Sequence, residues 1–276
     1  MLQLRCCKNG NKMPQQGRQV KTKFGIVQGV RLVNTENRQF DAFLGIPFAK
    51  PPTGSLRFKK PEPPECWDGI KRTIKFGPRA PQYDFLWSKS LNATEKNEDC
   101  LYLNVFSPAW IPPDKDGFAV MVYIHGGAFL IGSASQFGDK NICNNLCRHN
   151  VIVVTIQYRL GFLGFFCTGD KACPGNIGLW DQRMALQWVK DNICAFNGNP
   201  KCITVFGQSA GGACADLLSL SPESRNLFQQ VIPMSGNAQC AWAVNETDRV
   251  VDVCKRFAEC VGWKRKNLNG FSLQIT

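Results

Sequence analysis

The chain has 276 residues, 44% of them hydrophobic and 20% charged, the composition of an ordinary globular protein long enough for a substantial core. Its formal net charge is +12, but residues 1–80 hold 16 of the 33 Lys and Arg and only 5 of the 21 Asp and Glu, so the excess belongs to the N-terminal segment. No apolar run reaches the ~20 residues of a membrane span, and no basic stripe with interleaved aromatics accompanies the charge, so neither a membrane span nor nucleic-acid binding is expected.

Residues 1–20 are polar, basic and aperiodic, which predicts a disordered arm. From Lys21 short extended segments follow. Phe24–Val27, Val30–Val33 and Phe40–Leu44 read as an antiparallel meander, with Gly29 and Asn34–Asn37 as its turns. The Pro-rich run Pro47–Pro64 has to wrap the surface. Residues 66–97, with Trp67 and Trp87, read as a long irregular connection. Leu101–Phe106 is a predicted strand, and the continuous apolar runs Phe118–Ile124 and Val151–Ile156 suit buried parallel strands. Gly178–Ile193 is an amphipathic helix with Leu179, Leu186, Val189 and Ile193 on one face. After a strand at Ile203–Phe206 come helices at Ala210–Leu220 and near Glu223–Gln229, a strand at Val231–Met234 and a helix at Asp248–Ala258. Strands alternating with helices predict an α/β fold, its sheet mostly parallel and covered on both faces.

Fourteen cysteines are spread along the chain without a C-x-x-C pair. Cys143, Cys147 and His149 have a metal-like spacing, but no second ligand pair follows, so no metal or cofactor is expected. Sequons at Asn92 and Asn245 suit a secreted protein, whereas the first residues have no apolar signal-peptide core, and the compartment stays open.

Gly207-Gln208-Ser209-Ala210-Gly211 fits G-x-S-x-G between a strand and a helix. Such a turn forces the serine into a strained backbone conformation that lifts its Oγ clear of the sheet, and small neighbours let strand and helix pass closely. A serine hydroxyl is a weak nucleophile and needs a base and an oxyanion site. Upstream, His125-Gly126-Gly127-Ala128 closes a predicted parallel strand. Its glycines let amide N–H groups turn toward a ligand, which makes Gly127, Ala128 and Ala210 the predicted oxyanion donors for Ser209. The absence of Lys-Ser/Thr after the elbow glycines argues against a phosphate loop.

Taken together, the blocks Phe43–Ala49, Glu98–Val105, His125–Gly127, Tyr158–Gly161, Gly175–Gln182 and Phe196–Gly211 resemble the N-terminal half of type-B carboxylesterases, a family of α/β-hydrolases that includes the cholinesterases. The resemblance covers about Phe24 to Trp263 and implies a folded unit at 21–266, with 267–276 a divergent tail. It also implies a carboxylic-ester hydrolase acting on a small-molecule ester through a Ser-acid-His triad. No histidine follows Ser209, and the later carboxylates (Asp216, Glu223, Glu246, Asp248, Asp252 and Glu259) come too early for the family's acid. The acid and histidine are therefore read as absent, which leaves an inactive fragment or a non-enzymatic interaction protein as alternatives. Gln208 stands where many relatives have Glu, and Ala128 where the family usually has its third glycine. The family's disulfide partner for Cys100 is missing, with Cys66 as a candidate substitute.

Overall fold

The computed structural model describes residues 15–84 and 94–262. Residues 1–14, Trp87, Asn92 and the segment 267–276 lie outside the described residues. The core is a nine-stranded sheet of β1 (Gln15–Lys21), β2 (Ile26–Val33), β3 (Gln39–Pro47), β4 (Ile70–Arg72), β5 (Tyr102–Pro108), β6 (Phe118–Ile124), β7 (Val151–Ile156), β8 (Gly198–Gln208) and β9 (Gln230–Met234). The spatial order is β1-β2-β3-β5-β7-β6-β8-β9, with β4 beside β2. Along this order the neighbours from β1 to β7 run antiparallel, β7, β6, β8 and β9 run parallel, and β4 pairs with β2 in parallel.

Parallel strands buried on both faces demand long apolar runs, which is what Phe118–Ile124 and Val151–Ile156 supply. The helices are α1 (Asp139–Asn145), α2 (Gly161–Phe165), α3 (Ile177–Asn192), α4 (Ala210–Leu220) and α5 (Thr247–Cys260). On one face α3 and α4 set Leu186, Val189, Cys214, Ala215 and Leu218 against Val120, Val122, Ile124, Val154 and Val205. On the other, α1 sets Ile142 and Cys143 against Phe40, Ala42, Phe106 and Val153. The sheet is thus covered on both faces, as an α/β-hydrolase requires.

Several expectations change. Gln15–Val20, assigned above to a disordered arm, belongs with Lys21 to an edge strand paired with β2. Val20 is its only large apolar side chain, and it is buried, so a polar edge strand carries little periodic signal. Gly29 is not a turn: β2 runs straight through it, and the position takes glycine because a Cβ there would lie 2.4 Å from the Ala42 carbonyl oxygen on β3. The connection at 66–97 contributes β4. The expected helix at Glu223–Gln229 is a single 3-10 turn, Arg225–Leu227. The Cys66–Cys100 substitution is not formed: Cys66 is an exposed free thiol and Cys100 a buried one. Cys143 and Cys147 are buried against the sheet while His149 is exposed.

A buried ion pair joins the end of β7 to α3. Arg159 donates from Nε to Asp181 Oδ2 at 2.8 Å and from Nη2 to Oδ1 at 2.6 Å, and its backbone N–H reaches Oδ2 at 3.0 Å. Burial pushes the Asp181 carboxyl up while Arg159 pulls it down. Breaking such a pair leaves a desolvated charge and costs about 3–5 kcal/mol. Asp181→Asn is therefore expected to lower unfolding free energy by about that amount, read by urea denaturation followed by tryptophan fluorescence.

Candidate active site

Strands β6 and β8 lie side by side, with Ile124 opposite Gly207, so the segments leaving their C-terminal ends emerge together. Ser209 sits at the tip of the second, with φ 57 and ψ −123, between β8 and the first turn of α4. Its N–H is tied to the Met234 carbonyl of β9 at 2.8 Å. Glycines surround it because backbone does. A Cβ at Gly207 would meet the Gly211 backbone at 2.4 Å, and one at Gly211 would meet the Ile124 carbonyl oxygen at 2.1 Å. One at Gly236 would meet the Ser209 carbonyl oxygen at 2.2 Å. Ser209 itself is half-buried and Gln208 exposed.

The segment after β6 lies against this elbow: an added Cβ on Gly126 would stand 3.3 Å from the Ser209 Cβ. Gly127, Ala128 and Phe129 have φ of 110, 54 and 60, three successive residues in the left-handed region. The turn is closed by N–H groups of Leu130 and Ile131, both donating to the Gly127 carbonyl at 3.0 Å. Among the described residues the N–H groups of Gly127, Ala128 and Ala210 have no backbone acceptor. Gly127 and Ala128 thus follow directly on Gly126, which packs against the elbow, and Ala210 opens α4 next to Ser209. Ala128 holds a left-handed conformation that disfavours any residue with a Cβ.

The two histidines part company. His149 is exposed and ends the 3-10 turn Cys147–His149 just before β7, at the opposite end of the parallel strands from Ser209. His125 is fully buried beneath the glycine turn, stacked on Tyr158 with centroids 4.5 Å apart, and its Nδ1 lies 2.9 Å from the Gly126 carbonyl oxygen. Tyr158 donates to the His125 carbonyl at 2.8 Å. Burial lowers the His125 pKa to about 4, so the ring is neutral at pH 7. Of the later carboxylates, Asp216 accepts from the Ala238 N–H at 2.8 Å, and Glu223, Glu246, Asp248, Asp252 and Glu259 are exposed.

An aromatic cluster beside the glycine turn was not anticipated. Phe129 meets Phe165 of α2 at 5.2 Å and Trp242 at 6.3 Å between ring centroids. Trp242 also lies 3.1 Å from where a Gly236 Cβ would stand. Phe129 follows the glycine motif directly, a hint within the sequence, whereas nothing local marks Trp242.

A serine elbow at the end of a parallel strand, facing a glycine turn from the next strand, is the arrangement of an α/β-hydrolase. The model of the carboxylesterase family matches residues 16–273. The chain belongs to that family. It is 45% identical over 251 residues to esterase cest-33 of Caenorhabditis elegans, covering 90% of this chain and 45% of that protein. It is 40% identical over 259 residues to the medium-chain fatty acyl-CoA hydrolase precursor of Anas platyrhynchos, covering 90% and 45%. Neuroligin-3 of Mus musculus is 40% identical over 264 residues, covering 82% and 32%. The chain thus spans less than half the length of each of these relatives.

Two outcomes follow from this geometry. Gly207→Ala should cost about 1–3 kcal/mol in urea denaturation, because a methyl has to displace the Gly211 backbone. The second concerns pH. With the folded His125 pKa near 4 against an ordinary 6.5, the unfolded chain takes the proton first. His125 therefore favours the fold fully above pH 6.5, and this contribution falls away as pH drops toward 4, by up to about 3 kcal/mol. His125→Gln should flatten the slope of unfolding free energy against pH in that window.

Proposed function

We propose that this chain carries the nucleophile and oxyanion site of a serine carboxylic-ester hydrolase. Ser209 Oγ attacks the ester carbonyl carbon, and the oxygen that becomes negative accepts hydrogen bonds from Gly127, Ala128 and Ala210. The alcohol leaves, and water cleaves the acyl-serine. Each donor of this kind is worth about 3 kcal/mol of transition-state stabilisation. The observation that carries the reading is three amides without backbone acceptors beside a strained serine. Phe129, Phe165 and Trp242 favour an apolar group on the ester, and the neutral Gln208 gives no pull toward a cationic one.

The weak link is the proton. A serine hydroxyl needs a base to be a strong nucleophile. These 276 residues contain two histidines: one is buried and neutral under the glycine turn, and the other is at the far end of the sheet. The triad's acid and base are not among the residues gathered at Ser209, so full turnover needs them from outside this sequence. Alone, the oxyanion site and binding sustain a residual rate of roughly a thousand-fold over water. The missing base is also the observation that favours the competing reading, a chain that binds but does not turn over.

Hydrolysis of a p-nitrophenyl ester by the chain and by Ser209→Ala decides between them. A rate above background that disappears in Ser209→Ala supports the hydrolase reading. Equal rates for the two proteins would remove Ser209 from any chemistry. Fluorophosphonate labelling provides a second readout, with the adduct expected on Ser209 in a peptide mass map.

A further inference from the structure

Three thiols meet away from the candidate active site. The chain from Phe166 to Gly175 forms a tight hairpin in which Cys167 pairs with Pro174. Thr168 fixes it: its N–H donates to the Cys173 carbonyl at 2.9 Å, and its hydroxyl accepts from the Cys173 N–H at 3.1 Å. Helix α5 lies across this hairpin. Its Cys254 and Ala258 are buried in a small core with Phe166 and Cys173. A Cβ on Gly169 would touch Val251 of the same helix at 3.1 Å.

The sulfurs are not equivalent. Cys254 Sγ accepts from the Cys167 N–H at 3.3 Å, which places it against the residue whose own sulfur is three bonds from that nitrogen. Cys167 Sγ in turn accepts from the Gly169 N–H at 3.4 Å. The Cys173 thiol is engaged elsewhere, donating to the Phe166 carbonyl at 3.1 Å. Burial pushes the Cys173 and Cys254 thiols up, so these two are poorly reactive while α5 stays docked and react when it lifts.

We propose that Cys167 and Cys254 are a disulfide-forming pair that staples α5 to the hairpin behind the candidate active site, with Cys173 a bystander. The oxidant is a small disulfide of the glutathione type. The Cys254 thiolate attacks one sulfur of glutathione disulfide, forming a mixed disulfide and releasing one glutathione. The Cys167 thiolate then attacks the Cys254 sulfur, forming the protein disulfide and releasing the second glutathione. Two electrons and two protons leave the protein thiols and end on the two glutathione thiols.

The pair reaches the site through packing. Phe257 of α5 stacks on Phe162 of α2 with centroids 3.6 Å apart. Gly161, the first residue of α2, donates its N–H to the Phe129 carbonyl at 2.7 Å. Stapling α5 therefore steadies the helix on which the glycine turn rests. This proposal is independent of whether Ser209 turns over an ester.

The full chain is incubated in a glutathione/glutathione-disulfide buffer, alkylated, cut with trypsin without reduction and read by mass spectrometry. Trypsin separates the three cysteines into peptides 160–171, 172–183 and 250–255. The expected product is 160–171 joined to 250–255, with 172–183 alkylated. A bond to 172–183, or three alkylated peptides, would overturn the proposal. Amide hydrogen exchange over 250–260 should slow by at least about tenfold on oxidation in the wild type and in Cys173→Ala, but not in Cys167→Ala or Cys254→Ala. Loss of the effect in Cys173→Ala would also overturn it.

Discussion

Backbone contact between the C-terminal ends of β6 and β8 is the constraint on which the rest of the site depends. Gly126, Gly207, Gly211 and Gly236 each face another backbone so closely that a Cβ would fall within 2.1–2.4 Å of it. The main chain of three strands and a helix packs around the serine. The left-handed conformations of Ala128, Phe129 and Ser209 each cost about 1–3 kcal/mol and persist because the surrounding ladder leaves no alternative. Preorganisation here is a property of the sheet, felt at the serine.

Behind that contact stands a polar frame of a different kind. His125, Tyr158, Arg159 and Asp181 are all buried and follow one another through space. The tyrosine hydroxyl caps the histidine carbonyl, the next residue is the arginine, and the arginine grips the aspartate of α3. A buried ion pair adds little net stability when compared with apolar residues of similar volume, but it tolerates few alternative geometries. Its role in this fold is to fix where the end of β7 meets α3, and so where α2 begins.

Much of this was legible in the sequence, for identifiable reasons. Parallel strands buried on both faces have to be apolar throughout, so β6 and β7 announced themselves. The elbow was legible because close backbone approach restricts residue type at several positions within five residues. Other features were misread because the deciding contact is remote in sequence. Gly29 looked like a turn, yet it serves the passage of β3. Gln15–Lys21 is polar because it is an edge strand. Helices α1 and α2 are too short to show a period, and α2 contains two glycines. Trp242 reaches the site only because the segment after β9 folds back past Gly236. The base could not be read in the sequence, and no imidazole in the fold stands in for it.

The strand order also bears on how the sheet comes into being. β6 lies inside the parallel part, but its two neighbours arrive at different times: β7 after one connection, β8 only after all of α3. A chain emerging from the ribosome can complete β1, β2, β3, β5, β7 and β6 while β8 is still unmade. Until Gln208 has emerged, β6 presents an open edge of apolar strand, the kind of surface on which other chains pair. The strand that brings the serine is the one that closes this edge. Building the site and protecting the nascent sheet are therefore one event.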